Sequence, residues 1–162
     1  MNTDDIIGTK FPEEEFEETY YNIYNKYNVQ GDKELTFKTD IIRKFPFPEI
    51  DNEKFVPESL VFNRISKKYK FLFVNKAIIQ KKYLEDGYSN NYFELMKKNP
   101  KANMLYYKEL YEFDKSLYNV AAYNMYAMYS KYSFIKTIKE HPSKIKALIM
   151  YVPAFIKYLQ KK

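Results

Sequence analysis

The spacing of hydrophobic residues predicts elements of two kinds in the first half of the chain. Apolar residues recur at helical spacing across 11–28, which predicts a helix beginning at Pro12. Strict alternation in 33–38 predicts a strand. A short helix capped by Thr39 should follow and end before the prolines at 46 and 48.

A second set of elements is predicted after Pro57, which favours a helix start. Val61, Ile65 and Tyr69 would form the inward face of this helix. The segment 70–74, in which four apolar residues follow Lys70, is typical of a buried strand, and 77–84 predicts another strand close behind it.

The pattern becomes helical throughout after Gly87. We expect a helix stopped by Pro100, then a long helical stretch over 102–132 with a break near 114–116. The last segment, 143–162, predicts a basic amphipathic helix kinked at Pro153. The fold class is therefore expected to be α/β and helix-dominated, with a mixed portion over 1–87 and a helical C-terminal region over 88–162.

Composition excludes several kinds of site. Cysteine is absent, which excludes disulfides and thiolate metal sites, and His141 is the single histidine. A catalytic triad would therefore have to use His141. The three glycines lie far apart, so a phosphate-binding loop or dinucleotide fingerprint is excluded.

Charge is distributed unevenly along the chain. Residues 1–60 carry a net charge of −7 and residues 61–162 a net charge of +13. Either the lysines form an ordinary solvated surface, or a basic face meets anionic lipid or another polyanion. Nucleic acid is not expected as a partner, because only two of the 27 cationic residues are arginines and no known binding motif is present.

The N-terminal residues do not have the pattern of a signal peptide, since they are acidic and lack an apolar segment. The longest uncharged stretch near the C-terminus, 147–156, is shorter than the roughly 20 residues needed to cross a bilayer. We therefore expect a cytoplasmic protein, soluble or peripheral to the membrane.

One carboxylate allows two interpretations. Glu58 directly follows Pro57, so it would lie in the first turn of the predicted helix. An acid at this position commonly complements the helix dipole. A positioned carboxylate can also act as a general base towards a hydroxyl group. The residues by themselves favour the structural interpretation.

A resemblance changes this balance. The segments "GDKELTFKTDIIRKFPFPE", "EKFVPESLVFNRISKKYKFLFVN" and "YLEDGYS" are similar to the second half of bacterial family 2 glycosyltransferases, above all those that build capsular and other surface polysaccharides. The similarity covers roughly residues 6–105, and 53–75 is its most specific part. In that family an acid begins a helix, an arginine follows six residues later, and a strand comes next; the corresponding residues here are Glu58, Arg64 and 71–74.

The resemblance implies an inverting glycosyltransferase with a GT-A fold. A nucleotide-sugar would be the donor, a glycan or lipid-linked molecule the acceptor, and Glu58 the catalytic base. The residues that would contact substrate are Arg64, Tyr83, Glu85, Asp86 and Asp32. Each has a structural alternative: Arg64 as a packing residue, and the others as members of polar turns. The location implied is the inner face of the plasma membrane.

The resemblance does not include the half of these glycosyltransferases that binds the donor. The Asp-x-Asp element of that half, which holds Mn²⁺ or Mg²⁺ on the diphosphate, has no counterpart here, so no metal site is expected in this chain. We therefore expect a fragment, a truncated form or a protein that works beside a partner, with little activity alone. The alternative is a non-catalytic helical module that binds a membrane surface or a partner protein through 143–162.

Overall fold

The computed structural model describes residues 8–79 and 91–161, of which 54% are helical. They form two units. One comprises the described residues of Met1–Phe47 and Val61–Glu85, and the other those of Pro48–Leu60 and Asp86–Lys162. The predicted helix-dominated α/β class is confirmed at this coarse level. Pro48–Leu60 lies in the second unit, whereas the sequence division grouped it with residues 1–87.

A two-stranded antiparallel sheet lies in the first unit. β1 (Glu15–Glu18) pairs with β2 (Phe71–Val74) so that Phe16 lies opposite Phe73. The Phe11 ring lies 5.1 Å from that of Phe73 and 6.3 Å from that of Phe16. These rings pack against buried Ile23 and Val29, and the strand predicted over 70–74 is confirmed.

The first unit contains the helices α1 (Tyr20–Asn25) and α2 (Thr39–Ile42) and the greater part of α3 (Glu58–Ser66). Val61 and Ile65 of α3 are buried in an apolar cluster, as predicted. Tyr69 follows the end of α3 and is exposed, so its predicted place on the inward face of the helix was wrong.

The helix predicted from Pro12 is wrong up to Thr19. Residues Glu15–Glu18 form β1 instead, because pairing with β2 satisfies their backbone groups and turns Phe16 towards the core. The helix begins only where Thr19 caps it, with the Thr19 hydroxyl accepting a hydrogen bond from the Asn22 N–H at 3.2 Å. Long-range strand pairing therefore overrides the local helical pattern.

The strand predicted over 33–38 is also wrong, since this segment has no regular structure. Its alternation nevertheless turns Leu35 and Phe37 inward, and the Phe37 ring stacks on Phe62 at 5.2 Å. No strand forms in 77–79 either, and the rest of that predicted strand lies outside the described residues. The predicted helix after it exists, but Thr39 is its first residue rather than its cap.

The second unit is built on α4 (Tyr92–Lys98), α5 (Pro100–Phe113) and α6 (Leu117–Tyr129). α6 packs between α5 and the last helix, and it carries eight buried residues, more than any other described helix. The predicted break at 114–116 is confirmed, because Ser116 caps α6 by accepting a hydrogen bond from the Asn119 N–H.

Three further helices complete the second unit: α7 (Phe134–Glu140), α8 (Lys144–Ile149) and α9 (Tyr151–Lys161). The single kinked helix predicted over 143–162 is therefore two helices that meet at Met150. Pro153 lies in the first turn of α9, where a proline removes no intrahelical hydrogen bond. Among residues 8–79 and 91–161, no helix has the length and apolarity required to cross a membrane.

Candidate functional site

Glu58 lies at the exposed N-terminal end of α3. Pro57, immediately before it, is fully buried, and its carbonyl oxygen accepts a hydrogen bond from the Leu60 N–H at 2.9 Å. This bond closes the first turn and leaves the Glu58 side chain in solvent. As an acidic residue in the first turn, Glu58 complements the helix dipole. Glu58 is thus an accessible carboxylate on a firmly anchored backbone.

A polar network anchors the segment that leads to Glu58. The two carboxylate oxygens of Glu53 accept hydrogen bonds from the N–H groups of Lys101 and Ala102, both at 2.7 Å, and so cap the start of α5. The Asn99 side-chain oxygen accepts hydrogen bonds from the N–H groups of Lys54 and Phe55, at 2.8 and 3.1 Å. The junction between α4 and α5 therefore fixes the approach to α3.

Two tyrosines lie beside this turn. The Tyr106 hydroxyl is hydrogen-bonded to the side chain of Ser59, the residue after Glu58. Burial raises the pKa of the Tyr92 phenol, and the neighbouring Tyr106 and Glu58 groups raise it further. The partly exposed Tyr92 ring meets Phe55 edge-on at 6.1 Å. Both phenols therefore stay protonated at neutral pH and can donate hydrogen bonds near Glu58.

A row of aromatic rings continues from Tyr106 into the core between α5 and α6. The Tyr106 ring lies 5.0 Å from that of Tyr107, and Tyr107 stacks on Tyr126 at 5.6 Å and meets Tyr118 edge-on at 6.3 Å. Burial raises the pKa values of Tyr107 and Tyr126, so these phenols are neutral as well. The candidate site is therefore the Glu58 carboxylate with the neutral phenols of Tyr92 and Tyr106, and Tyr126 belongs to the core behind it.

The other predicted site residues lie elsewhere or outside the described chain. Arg64 is half-buried near the end of α3, and Asp32 is exposed in the irregular segment before α2; both belong to the first unit, whereas Glu58 belongs to the second. Asp32 raises the pKa of the Tyr24 phenol, although burial contributes more. The remaining three, Tyr83, Glu85 and Asp86, are outside the described residues.

His141 is a core residue. It is 2% exposed, its ring packs against Tyr111 and Tyr123 at 5.0 and 4.8 Å, and its Nδ1 accepts a hydrogen bond from the Ser143 N–H. Burial lowers the pKa of the imidazole, with the cations Lys108 and Lys146 adding to the effect. The single histidine is therefore neutral, and it contributes to packing rather than to an accessible catalytic group.

A divalent metal is expected for the full-length family, and its usual ligands are carboxylate oxygens. Within the part of the chain that the structure describes, no three acidic or histidine side chains lie close enough together to hold an ion. These residues do not fit the group, so no chemical step in this chain is assigned to a metal.

Sequence reasoning identified Glu58 but missed the residues that surround it. The pair Asn99–Pro100 is a recognisable helix-start signal, so the position at which α5 begins could have been anticipated, although the Asn99 side chain does not cap that helix. Nothing in the sequence singles out Tyr92 and Tyr106 among 18 tyrosines, or pairs Glu53 with a helix almost 50 residues later.

Comparison with known proteins adds no relative: no protein-family model matches the chain, and no curated protein or solved structure is significantly similar to it.

Proposed function

We propose that this chain is the acceptor-side part of a family 2 glycosyltransferase of the GT-A type. It would take part in transferring a sugar, with inversion, from a nucleotide-sugar to a surface-polysaccharide acceptor at the cytoplasmic face of the membrane. The observation that carries the proposal is the placement of Glu58, whose carboxylate is exposed on an anchored helix start beside Tyr92 and Tyr106. The sequence resemblance names this same residue as the base.

The geometry suits the chemistry in two respects. An acceptor hydroxyl is a weak nucleophile until a carboxylate within about 2.6–3.2 Å takes its proton. An exposed carboxylate can accept a hydrogen bond from the acceptor hydroxyl directly, whereas a carboxylate in a buried ion pair would first have to break that pair. The neighbouring phenols can donate hydrogen bonds to sugar hydroxyls, while the rings offer apolar surface to the sugar face.

In the proposed step, the acceptor hydroxyl oxygen bonds to the anomeric carbon of the donor sugar. The bond between that carbon and the diphosphate oxygen breaks, and the electron pair leaves with the diphosphate. The hydroxyl proton moves to the Glu58 carboxylate, which later releases it to solvent. The resemblance covers the acceptor side alone, so no residue of this chain is assigned to the donor diphosphate.

The first test is acceptor binding. Saturation-transfer NMR with a panel of surface-polysaccharide oligosaccharides should detect binding to the wild-type chain. The variant Tyr92→Ala should weaken it about tenfold, as expected for the loss of one stacking and hydrogen-bonding side chain. Tyr69→Ala is the matched control, because Tyr69 is similarly exposed but belongs to the first unit. Absence of binding across the panel, or equal losses in both variants, would contradict an acceptor site here.

The second test is transfer. The purified chain with nucleotide-sugars and Mn²⁺ or Mg²⁺ is expected to show little turnover. Activity should appear when a family 2 donor half is supplied as a separate polypeptide. Glu58→Gln should then lower the rate by a factor of about 10²–10⁴, the range attributed to general base catalysis. A Glu58→Gln variant with wild-type activity would refute the assigned mechanism.

A second candidate is a non-catalytic helical module that binds a membrane surface or a partner protein. It is favoured by a specific observation, the exposed apolar side chains of α8 and α9. The transfer experiment separates the two candidates, because a non-catalytic module would show no activity with any donor half.

A further inference from the structure

Seven apolar side chains on α8 and α9 form one exposed stripe. They recur with a seven-residue period, at positions 145, 152 and 159, at 148 and 155, and at 149 and 156. Their exposed fractions range from 44% for Phe155 to 74% for Ile145. Residues three, four and seven apart share one helix face, so the stripe runs along a single side of each helix. We call these residues the apolar stripe: Ile145, Leu148, Ile149, Val152, Phe155, Ile156 and Leu159.

The opposite faces of α8 and α9 are already occupied. Ala147 and Ala154 lie between stripe positions, are at most 1% exposed and share the seven-residue spacing. The Ala147 carbonyl accepts a buried hydrogen bond from the Asn124 side chain of α6 at 2.8 Å, and the Tyr158 ring lies 4.8 Å from that of Tyr129. Both helices are therefore docked on α6 through their other side. The stripe therefore lies on helices whose opposite side is packed against α6.

The apolar surface extends to the start of α7. The Phe134 ring meets Tyr151, the first residue of α9, edge-on at 4.6 Å. Phe134 and Ile135 remain 45% and 74% exposed. Exposed apolar side chains grouped on neighbouring helices are typical of an interaction surface.

The charges on the helices of the stripe and on the segment before them are almost all positive. Residues 144–161 carry four lysines and no acid, and residues 115–162 carry nine lysines and one acid, Glu140. Lys144 and Lys139 are exposed. A second copy of this chain would bring the same cations to the interface, and like charges at close range repel. A surface of anionic lipid offers both an apolar interior for the stripe and negative phosphates for the lysines.

We propose that the apolar stripe seats this chain on an anionic lipid surface. The stripe enters the boundary between headgroups and acyl chains, with α8 and α9 lying along the membrane plane. The exposed Lys139 and Lys144 reach the phosphates through their flexible apolar stems. Lys146 donates to the Lys115 carbonyl oxygen, and Lys157 and Lys161 lie over the Tyr118 and Phe93 rings, so these three lysines contribute mainly to the positive charge of the region. This placement does not depend on catalysis by Glu58, and it is compatible with both functions proposed above.

Co-sedimentation with vesicles tests the proposal. The wild-type chain should bind vesicles of phosphatidylcholine with 30% phosphatidylglycerol, bind pure phosphatidylcholine weakly, and be released at high salt, because screening removes the electrostatic attraction. The double variant Ile149→Ser/Ile156→Ser should lose at least tenfold in partitioning. Leu72→Ser is the matched control: Leu72 is 62% exposed and Ile149 61%, but Leu72 lies on β2 in the other unit.

Lysine substitutions test the charge contribution separately. Lys139→Gln and Lys144→Gln should each weaken binding to the anionic vesicles about fivefold, the equivalent of about 1 kcal/mol per lysine near the surface. Their effect on binding to neutral vesicles should be small. Circular dichroism spectra and thermal unfolding of every variant establish that it is folded.

Three results would overturn the proposal. The first is binding by the double isoleucine variant at the wild-type level, and the second is equal, salt-independent binding to neutral and anionic vesicles. The third is a wild-type dimer that becomes a monomer in the double variant while neither binds lipid, since the stripe would then pair two copies. The vesicles contain no nucleotide-sugar and no glycan, so these results are independent of the transferase tests.

Discussion

The contact between Glu53 and the start of α5 gives the sharpest stability prediction. Both carboxylate oxygens accept hydrogen bonds at 2.7 Å, from the N–H groups of Lys101 and Ala102. The variant Glu53→Ala leaves these two N–H groups without their acceptor and removes a negative charge from the positive end of the helix dipole. It should destabilise the second unit and loosen the backbone that leads to Glu58.

The magnitude follows from the two bonds. Loss of a helix N-cap costs about 0.5–2 kcal/mol, and a hydrogen bond to a charged group contributes about 1.5–3 kcal/mol. These contributions overlap, and Glu53 is only half-buried, so water replaces part of the loss. We expect the free energy of unfolding to fall by about 2 kcal/mol for Glu53→Ala. For Glu53→Gln, which keeps one acceptor oxygen, we expect a fall of about 1 kcal/mol.

Urea unfolding followed by circular dichroism measures this change. With a slope of about 2 kcal/mol per molar urea, the midpoint should fall by about 1 M for Glu53→Ala and by half as much for Glu53→Gln. Amide hydrogen exchange of α5 reports on the second unit directly, which matters in a chain with two units. Glu49→Ala is the control, because Glu49 is an exposed acid of the same segment. The reasoning is refuted if Glu53→Ala and Glu49→Ala shift the midpoint equally.

Three further variants probe the packing of each unit. His141→Gln should remove a pH dependence of stability. Burial lowers the pKa of His141, so the unfolded state binds the proton more readily, and the stability of the wild type should fall below about pH 6.5 by at most about 1.4 kcal/mol per pH unit. If the urea midpoint of the wild type changes between pH 7 and pH 5 no more than that of the variant, this reasoning is wrong. Asn75→Asp should cost about 2 kcal/mol, because the Asn75 Nδ2 donates to the carbonyl oxygens of Phe11 and Glu13 at 3.0 and 2.8 Å and a carboxylate would repel them; an unchanged melting temperature would show that the bridge contributes nothing. Ala154→Leu should lower the free energy of unfolding by about 1–3 kcal/mol, because the larger side chain overpacks the contact of α9 with α6. A variant as stable as the wild type would show that this contact can accommodate the larger side chain.

The sequence by itself determined the elements whose signals are local. The proline before Glu58 marks a helix start because a proline ring presets the backbone and needs no N–H partner there. Pro100 was predicted to stop the preceding helix, which ends at Lys98, but it is also the first residue of α5. The break near 114–116 was predictable because Ser116 is a strong capping residue. The existence of β2 was predictable from its uninterrupted apolar run, but the prediction that it is buried holds only for the face that carries Phe73. Glu58 could be predicted as an exposed first-turn carboxylate for the same local reason.

The tertiary structure decided everything that depends on a distant partner. Residues 15–18 became a strand because β2 lies beside them, although their apolar spacing is helical, and 33–38 stayed irregular although it alternates. Glu53 caps α5, and Tyr106 is hydrogen-bonded to Ser59, although the two residues of each pair are almost 50 positions apart in the sequence. The amphipathic pattern of α8 and α9 likewise shows that one face must be apolar. Only docking on α6 decided that the alanine side is covered and the isoleucine side faces outward, because burial depends on the neighbour a face meets and not on its sequence alone.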